Sequence, residues 1–388
     1  MVCEETAVVS HSADAVRGSN AGGIGQSASR LQDSPAMWRI TEASYAILRP
    51  ILLSIDAERA HRITLASLAR IPAMAPSADP PELHTTVFGV SFSNPVGLAA
   101  GADKDARAVA AWNTLGFGFA EIGTITPRPQ AGNPPPRMWR IPEHRALINR
   151  LGFPGEGMEA VAPRIERARG RMLRMRIGLN FGPNKDRPPE LVAADYAALM
   201  GRLGGLADFV VVNLSSPNTP GLREFQAPER IRAIVEAIRA AREHAPPLLV
   251  KIAPDLEPPM LREIGAAAIE LSLGGIVATN TTLKREEVGV RSNLEGGLSG
   301  EPLRARAREV IAQVYSDTRG RIPIIGAGGI MNAEDAYAHI RAGASLVELY
   351  TGFVYGGPRA VREIREGLPR LLARDGFRSI SDAVGSAA

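Results

Sequence analysis

The chain has 388 residues, of which 45% are hydrophobic and 22% charged, with a net charge of +4. This composition belongs to a globular protein with room for one large domain and a small companion, and the mild charge without zinc-finger or basic-helix patterns argues against nucleic-acid binding. The single cysteine, Cys3, and six scattered histidines exclude a disulfide, a cysteine-ligated cluster and a cysteine nucleophile in the folded part, and disfavour zinc or any other metal site.

Residues 1–36 are rich in Ser, Ala and Gly and are expected to be disordered. They lack the apolar core of a secretory signal, and four acidic residues against two arginines disfavour an import peptide. Met37 opens the first patterned sequence and is a candidate natural start. Residues 37–71 read as two short helices. The first carries Tyr45, Ile47, Leu48, Ile51 and Leu52, with Pro50 kinking or dividing it. The second starts at the N-cap Asp56 and carries His61, Leu65 and Leu68 at helical spacing. Arg49, Arg59, Arg62 and Arg70 interleave with these apolar residues, as in a helix pair lying on a bilayer surface. A hairpin packed on its own domain would show much the same pattern. No apolar run reaches the length of about 18 residues needed to span a membrane. Pro- and Ala-rich residues 72–82 read as a linker.

A rhythm of short apolar strands and Ala/Arg/Glu-rich helices begins at residue 83. Strands are predicted around Val96–Ala100, Phe119–Ile125, Ile177–Phe181, Phe209–Leu214, Leu248–Ile252, Gly275–Ala278, Pro323–Gly326 and Ser345–Leu349. Helices are predicted within Pro228–Glu243, Met260–Glu270, Leu303–Tyr315 and Ala333–Ala342. Eight such units point to an α/β fold, a (β/α)8 TIM barrel over residues 76–388 with an N-terminal helical hairpin at 37–75. A doubly wound open sheet would show fewer units and one dominant Gly-rich turn. The last stretch of about 15 residues is expected to fray.

In a barrel the strand ends face one another. Here they carry Gly101 to Lys104, Thr124, Asn180, Lys251, Thr279 to Thr281, the Gly326–Gly329 turn, and Tyr350 with Thr351. The loop Asn213–Gly221 adds two Asn, two Ser and one Thr, stiffened by Pro217 and Pro220. Asn both donates and accepts, so this ring suits an amide- or imide-containing heterocycle, and two Lys favour an anion or an electron-rich transition state. A Gly-rich turn after the seventh strand fits a phosphate-tailed cofactor. No Rossmann fingerprint is present.

Several ordered strings resemble the dihydroorotate dehydrogenases of class 2, the membrane-associated, quinone-reducing type of pyrimidine biosynthesis. They are Asp56–His61, Gly97–Gly101 with Asp103-Lys104, Thr124–Pro127, Asn149–Phe153, Asn213–Gly221, Val250–Asp255, Ala278–Thr282 and Gly296–Gly300. The resemblance implies FMN held by Ala100, Gly101, Ala102, Asp103, Lys104, Thr124, Asn180, Asn213, Lys251, Thr279, Gly300, Gly329, Tyr350 and Thr351. It implies dihydroorotate held by Lys104, Asn149, Arg150, Leu151, Gly152, Phe153, Asn213, Asn218, Asn280 and Thr281, and oxidised to orotate. Ser216 would take the C5 proton with Thr219 as relay, and Lys251 would stand by the reduced flavin. His61, Arg140 and Tyr350 would form the polar end of a tunnel for ubiquinone or menaquinone. The resemblance also implies a peripheral, monomeric protein on the cytoplasmic face of the inner membrane.

Soluble class 1 relatives use a cysteine as base, which this barrel lacks. Two departures stand out: Pro154-Gly155 follows Phe153 where the class usually has Asn, and Gly182-Pro-Asn-Lys185 loses one cation of the usual pattern. Hydroxy-acid oxidases of the same shape need a histidine at a strand end, and none lies there. A non-catalytic, membrane-attached ligand-binding barrel is the other alternative.

Overall fold

The computed structural model describes residues 35–388 apart from 75, 172, 220, 287, 288 and 291. The expected disorder of the N-terminal extension falls on residues outside this range. The described chain opens with two helices, α1 (Pro35–Ser54) and α2 (Ala57–Leu68). Asp56 caps α2 by accepting the Arg59 amide at 2.8 Å. Pro50 does not divide the first helix: α1 runs through it to Ser54.

Next comes a tight hairpin, β1 (Thr85–Val87) and β2 (Val90–Phe92). Eight parallel strands then close a barrel: β3 (Val96–Leu98), β4 (Phe119–Ile125), β7 (Arg176–Phe181), β8 (Phe209–Asn213), β9 (Leu248–Ile252), β10 (Gly275–Ala278), β12 (Ile324–Ala327) and β13 (Leu346–Leu349). The eight apolar runs of the sequence are these eight strands. Three further strands, β5 (Met138–Ile141), β6 (Ala146–Asn149) and β11 (Gly297–Gly300), form a separate antiparallel sheet. Helices α3 (Val109–Thr114), α4 (Met158–Arg169), α5 (Val192–Leu203), α6 (Pro228–Ala241), α7 (Pro258–Glu270), α8 (Arg304–Thr318), α9 (Ala333–Arg341), α10 (Thr351–Gly356) and α11 (Pro358–Asp375) fill the connections and the C-terminal end.

Side chains alternate across a strand, so every second residue faces the barrel axis. At the N-terminal end of the strands these are Phe119, Phe209, Leu249 and Leu346, all fully buried. The β1–β2 hairpin plugs this end: Phe92 meets Phe119 edge-on at 5.7 Å, and Val87 joins the same cluster. The barrel is therefore open only toward the C-terminal ends of its strands, where functional residues collect.

The Pro-rich segment read as a linker is tied down. Asn113 Nδ2 donates to the Met74 carbonyl at 2.9 Å, and Arg365 Nε donates to Asp79 at 2.7 Å, both groups of that pair being buried. The C-terminus does not fray as expected. Helix α12 (Ile380–Ala383) buries Ile380 and Ala383 completely, and the Ala387 amide bonds the Arg341 carbonyl at 2.9 Å. Two apolar anchors and a backbone bond offset the entropy that usually loosens a terminus.

Candidate active site

One step up from the aromatic floor, the inward positions become charged. Glu121, Lys251 and Glu348 each stand two residues beyond a floor residue on their own strands, so they share its face. Lys251 Nζ donates to Glu121 and to Glu348, each at 2.7 Å, and all three side chains are buried. Burial alone would push the Lys251 pKa down. The two carboxyl groups outweigh it and hold the ammonium above its usual value.

Amides form the next layer. Thr124 Oγ1 donates to Asn180 Oδ1 at 2.5 Å, and Asn213 Nδ2 reaches both Thr124 Oγ1 (3.0 Å) and Asn180 Oδ1 (3.2 Å). Asn180 turns its own Nδ2 back to Glu121. Tyr196, wholly buried on α5, donates to the Asn213 carbonyl at 2.9 Å and fixes the end of β8.

Above this layer opens a cleft whose space, its open mouth included, is about 1020 Å3. Ser216 lies on its wall, 5% exposed, with its hydroxyl accepting the Asn218 amide at 3.2 Å. Asn218 Nδ2 donates to Asn149 Oδ1 at 3.2 Å, joining the β8 loop to the end of β6. Asn280 Nδ2 donates to Ser215 Oγ at 3.0 Å, and its Oδ1 accepts the Thr281 amide at 2.7 Å. On the far wall Lys104 Nζ donates to the Gly101 carbonyl at 2.7 Å. Burial lowers the Lys104 pKa, partly opposed by Asp105 and Glu58.

The remaining end of the cleft is backbone-rich. Gly328 and Gly329 turn with φ of 114° and 76°. A Cβ on Gly329 would stand 2.3 Å from Arg304 Cα, so only glycine lets this turn sit against the start of α8. Thr351 and Ser299 share a hydroxyl bond at 2.8 Å beside it.

Most residues singled out from the sequence meet here: Ala100, Gly101, Lys104, Thr124, Asn149, Leu151, Gly152, Phe153, Asn213, Ser216, Asn218, Lys251, Thr279, Asn280, Thr281, Gly300, Gly329, Tyr350 and Thr351 all line the cleft. Others stand apart. Asp103 turns into the protein, where burial raises its pKa and its carboxylate accepts the Arg107 and Ala108 amides and the Trp112 indole. Ala102 faces a neighbouring apolar cleft instead. Arg150 points outward over Trp139 toward Glu295. Asn180 lies behind Thr124 and Asn213, and Thr219 Oγ1 is buried without a partner. Three participants went unread. Glu121 and Glu348 are carboxylates inside otherwise apolar strands, which is itself a signal. Asn133 is the third, with Nδ2 bonding the Arg150 carbonyl at 2.8 Å and the Asn218 carbonyl at 3.2 Å.

A second cleft, about 680 Å3 with its open mouth included, lies between the α1–α2 hairpin and the barrel, lined by Leu52, Leu53, Leu65, Leu68, Phe353 and others, with His61, Arg140 and Tyr350 among its polar groups beside Tyr45 and Thr64. The His61 and Tyr350 rings meet edge-on at 6.4 Å. Burial drives the His61 pKa down to about 3, helped by Lys104 and Arg62, so the ring is neutral. Burial likewise raises the Tyr350 pKa. Tyr350 lines both clefts and forms their common wall. Arg140 is already engaged by the Leu52 and Ile55 carbonyls at the end of α1.

Comparison with known proteins accords with this geometry. The family model described as dihydroorotate dehydrogenase matches residues 82–372. A dihydroorotate dehydrogenase (quinone) of Anaeromyxobacter sp. (strain Fw109-5) is 51% identical over 348 residues, covering 87% of this chain and 96% of the relative. Its counterpart in Acidithiobacillus ferrooxidans is 47% identical over 364 residues, covering 89% and 100%. The crystal structure of the Eimeria tenella enzyme with ferulenol superposes with a TM-score of 0.81 at 39% identity, covering 85% of this chain and 95% of the other. The chain belongs to the dihydroorotate dehydrogenase family.

Proposed function

We propose that this protein is a quinone-dependent dihydroorotate dehydrogenase that oxidises dihydroorotate to orotate with FMN as its bound cofactor. The observation that carries this reading is the position of Ser216. It is only 5% exposed on the wall of a cleft that Asn149, Asn213, Asn218, Asn280 and the buried Lys251 also line. The residues fit the cofactor. A Cβ on Gly101 would stand in open space at the cleft wall, consistent with a backbone surface left bare for a flat ring. Thr124, Asn213 and Lys251 offer polar contacts along one side, and Gly300, Gly329 and Thr351 offer an anion end. When bound, the flavin accepts two electrons as a hydride.

The chain's own groups carry the rest. The four Asn match the ring amide and imide of dihydroorotate, and Lys104 matches its carboxylate. Ser216 Oγ takes the C5 proton as hydride leaves C6. A free serine is a poor base, so the low exposure of Ser216 matters. The unpartnered Thr219 Oγ1, three residues on, is the candidate next station for that proton. The positive charge of Lys251 favours electron density arriving above it. The second cleft would receive the quinone, ubiquinone or menaquinone, with Tyr350 between it and the flavin site. The protein would act as a peripheral monomer on the cytoplasmic face of the inner membrane.

Stopped-flow reduction by dihydroorotate tests the role of the serine. Ser216→Ala should slow flavin reduction by about 10²- to 10⁴-fold while FMN stays bound. An unchanged reductive rate would remove Ser216 from the reaction.

A further inference from the structure

The ion triad beneath the cleft holds an imbalance. Lys251 brings one positive charge and faces two carboxyl groups at 2.7 Å each. Glu121 is fully satisfied: Oε2 receives Lys251 and Oε1 receives Asn180. Glu348 is not. Its Oε1 receives Lys251, but its Oε2 is buried with no donor. The two carboxyl groups converge on one Lys251 Nζ, each at 2.7 Å, so they are close neighbours in a dry layer. Two such neighbours can hydrogen-bond to each other only if one carries a proton. With both ionised, this dry layer would hold a net negative charge and an orphaned oxygen, each costly inside a protein.

We propose that Glu348 is held as a neutral carboxylic acid, its Oε2–H donating to the Glu121 carboxylate, so that Lys251 faces a single anion at the floor of the cofactor cleft. One proton balances the charge and satisfies the orphaned oxygen together. Desolvation and the neighbouring Glu121 charge raise the Glu348 pKa, whereas Lys251 and Asn180 hold Glu121 ionised. Glu121 and Lys251 are the two charged groups facing Glu348, from β4 and β9 respectively. Glu348 is thus a positioning residue. It keeps Lys251 electrostatically effective toward whatever receives electrons above it, and a second anion there would oppose electron arrival.

Two measurements test this. The first needs no cofactor: infrared spectra of the full chain with and without 13C-labelled glutamate, at neutral pH. A protonated-carboxyl carbonyl band that shifts with the label, and disappears in Glu348→Gln, is expected. Its absence from the labelled wild-type protein would overturn the proposal, and so would its persistence in the variant. The second rests on the flavin reading above: the midpoint potential of bound FMN, titrated anaerobically. Glu348→Gln, a neutral isostere, should keep the wild-type potential at neutral pH, while Glu121→Gln should raise it by removing an anion. At alkaline pH the wild-type potential should fall below that of Glu348→Gln as the acid ionises. An equal rise in both variants at neutral pH would show that Glu348 is an anion and sink the idea. Failure to bind FMN would count against the flavin reading alone, since the infrared result stands without it.

Discussion

At the scale of single residues, chemistry that acts through sequence neighbours was legible, and chemistry that acts across the barrel was not. Asn213, Ser216 and Asn218 could be read because they crowd into one loop after an apolar strand. Lys251 could be read as a strand-end cation, but its partners could not. Glu121 and Glu348 lie 130 and 97 residues away, and only barrel closure brings them to 2.7 Å. Asp103 was misplaced for the converse reason. It adjoins cleft residues in sequence, yet its carboxylate is used up in bonding two amides and an indole. The half-buried histidine of the second cleft gives a prediction at this scale. The pKa of His61 lies at about 3 in the folded chain against an ordinary 6.5, so the unfolded chain binds its proton more readily. Its contribution to stability is complete above pH 6.5 and is lost as pH falls toward about 3. Denaturant titrations across that window should show a shallower pH dependence for His61→Gln than for wild type. Identical slopes would mean that His61 is not desolvated.

Among the elements, the eight barrel strands were readable because each is a mostly apolar run ending in a polar or Gly-rich turn. The small strands were not. β1, β2, β5, β6 and β11 have three or four residues each, too few for an alternation to register. β6 also pairs with β11 far along the chain. The linker and the tail looked loose by composition, yet side-chain bonds and two apolar anchors hold them. Asp79 shows how firmly: it takes Arg365 from α11 and Asn94 Nδ2 at 2.9 Å. Asp79→Ala would leave a buried guanidinium without its partner, and a loss of about 3 kcal/mol is expected in equilibrium unfolding. A change under about 0.5 kcal/mol would class the pair with surface ion pairs. The α1–α2 hairpin is joined to the barrel by Glu42–Arg362, by Tyr45 to the Val354 carbonyl at 2.8 Å, and by Glu58–Arg137. Removing residues 35–71 should abolish quinone reduction and leave flavin reduction by dihydroorotate intact. Loss of bound flavin in the truncated protein would make the hairpin part of the barrel's core instead.

Viewed as a whole molecule, the protein presents two faces. The barrel is closed below by its aromatic plug and open above at the amide-lined cleft. On the hairpin, Ile47, Leu48, Ile51 and Ile63 stand between 44% and 74% exposed, an arrangement suited to contact with a lipid surface beside the second cleft. No described helix is long and apolar enough to cross a membrane. Each such side chain buried in lipid contributes about 1.5–3 kcal/mol. Replacing Ile47 and Ile51 together by Ser should therefore cut vesicle binding by more than about tenfold while sparing flavin reduction, as vesicle co-sedimentation can measure. Unaltered binding would move the membrane contact elsewhere. The cleft over Lys251 is proposed to oxidise dihydroorotate through a bound flavin. The most direct measurement is the visible spectrum of the purified, FMN-loaded full chain on anaerobic addition of dihydroorotate. The yellow flavin bands should bleach, with one orotate formed per flavin reduced. Flavin bands that persist in FMN-loaded protein after dihydroorotate is added would contradict this reaction.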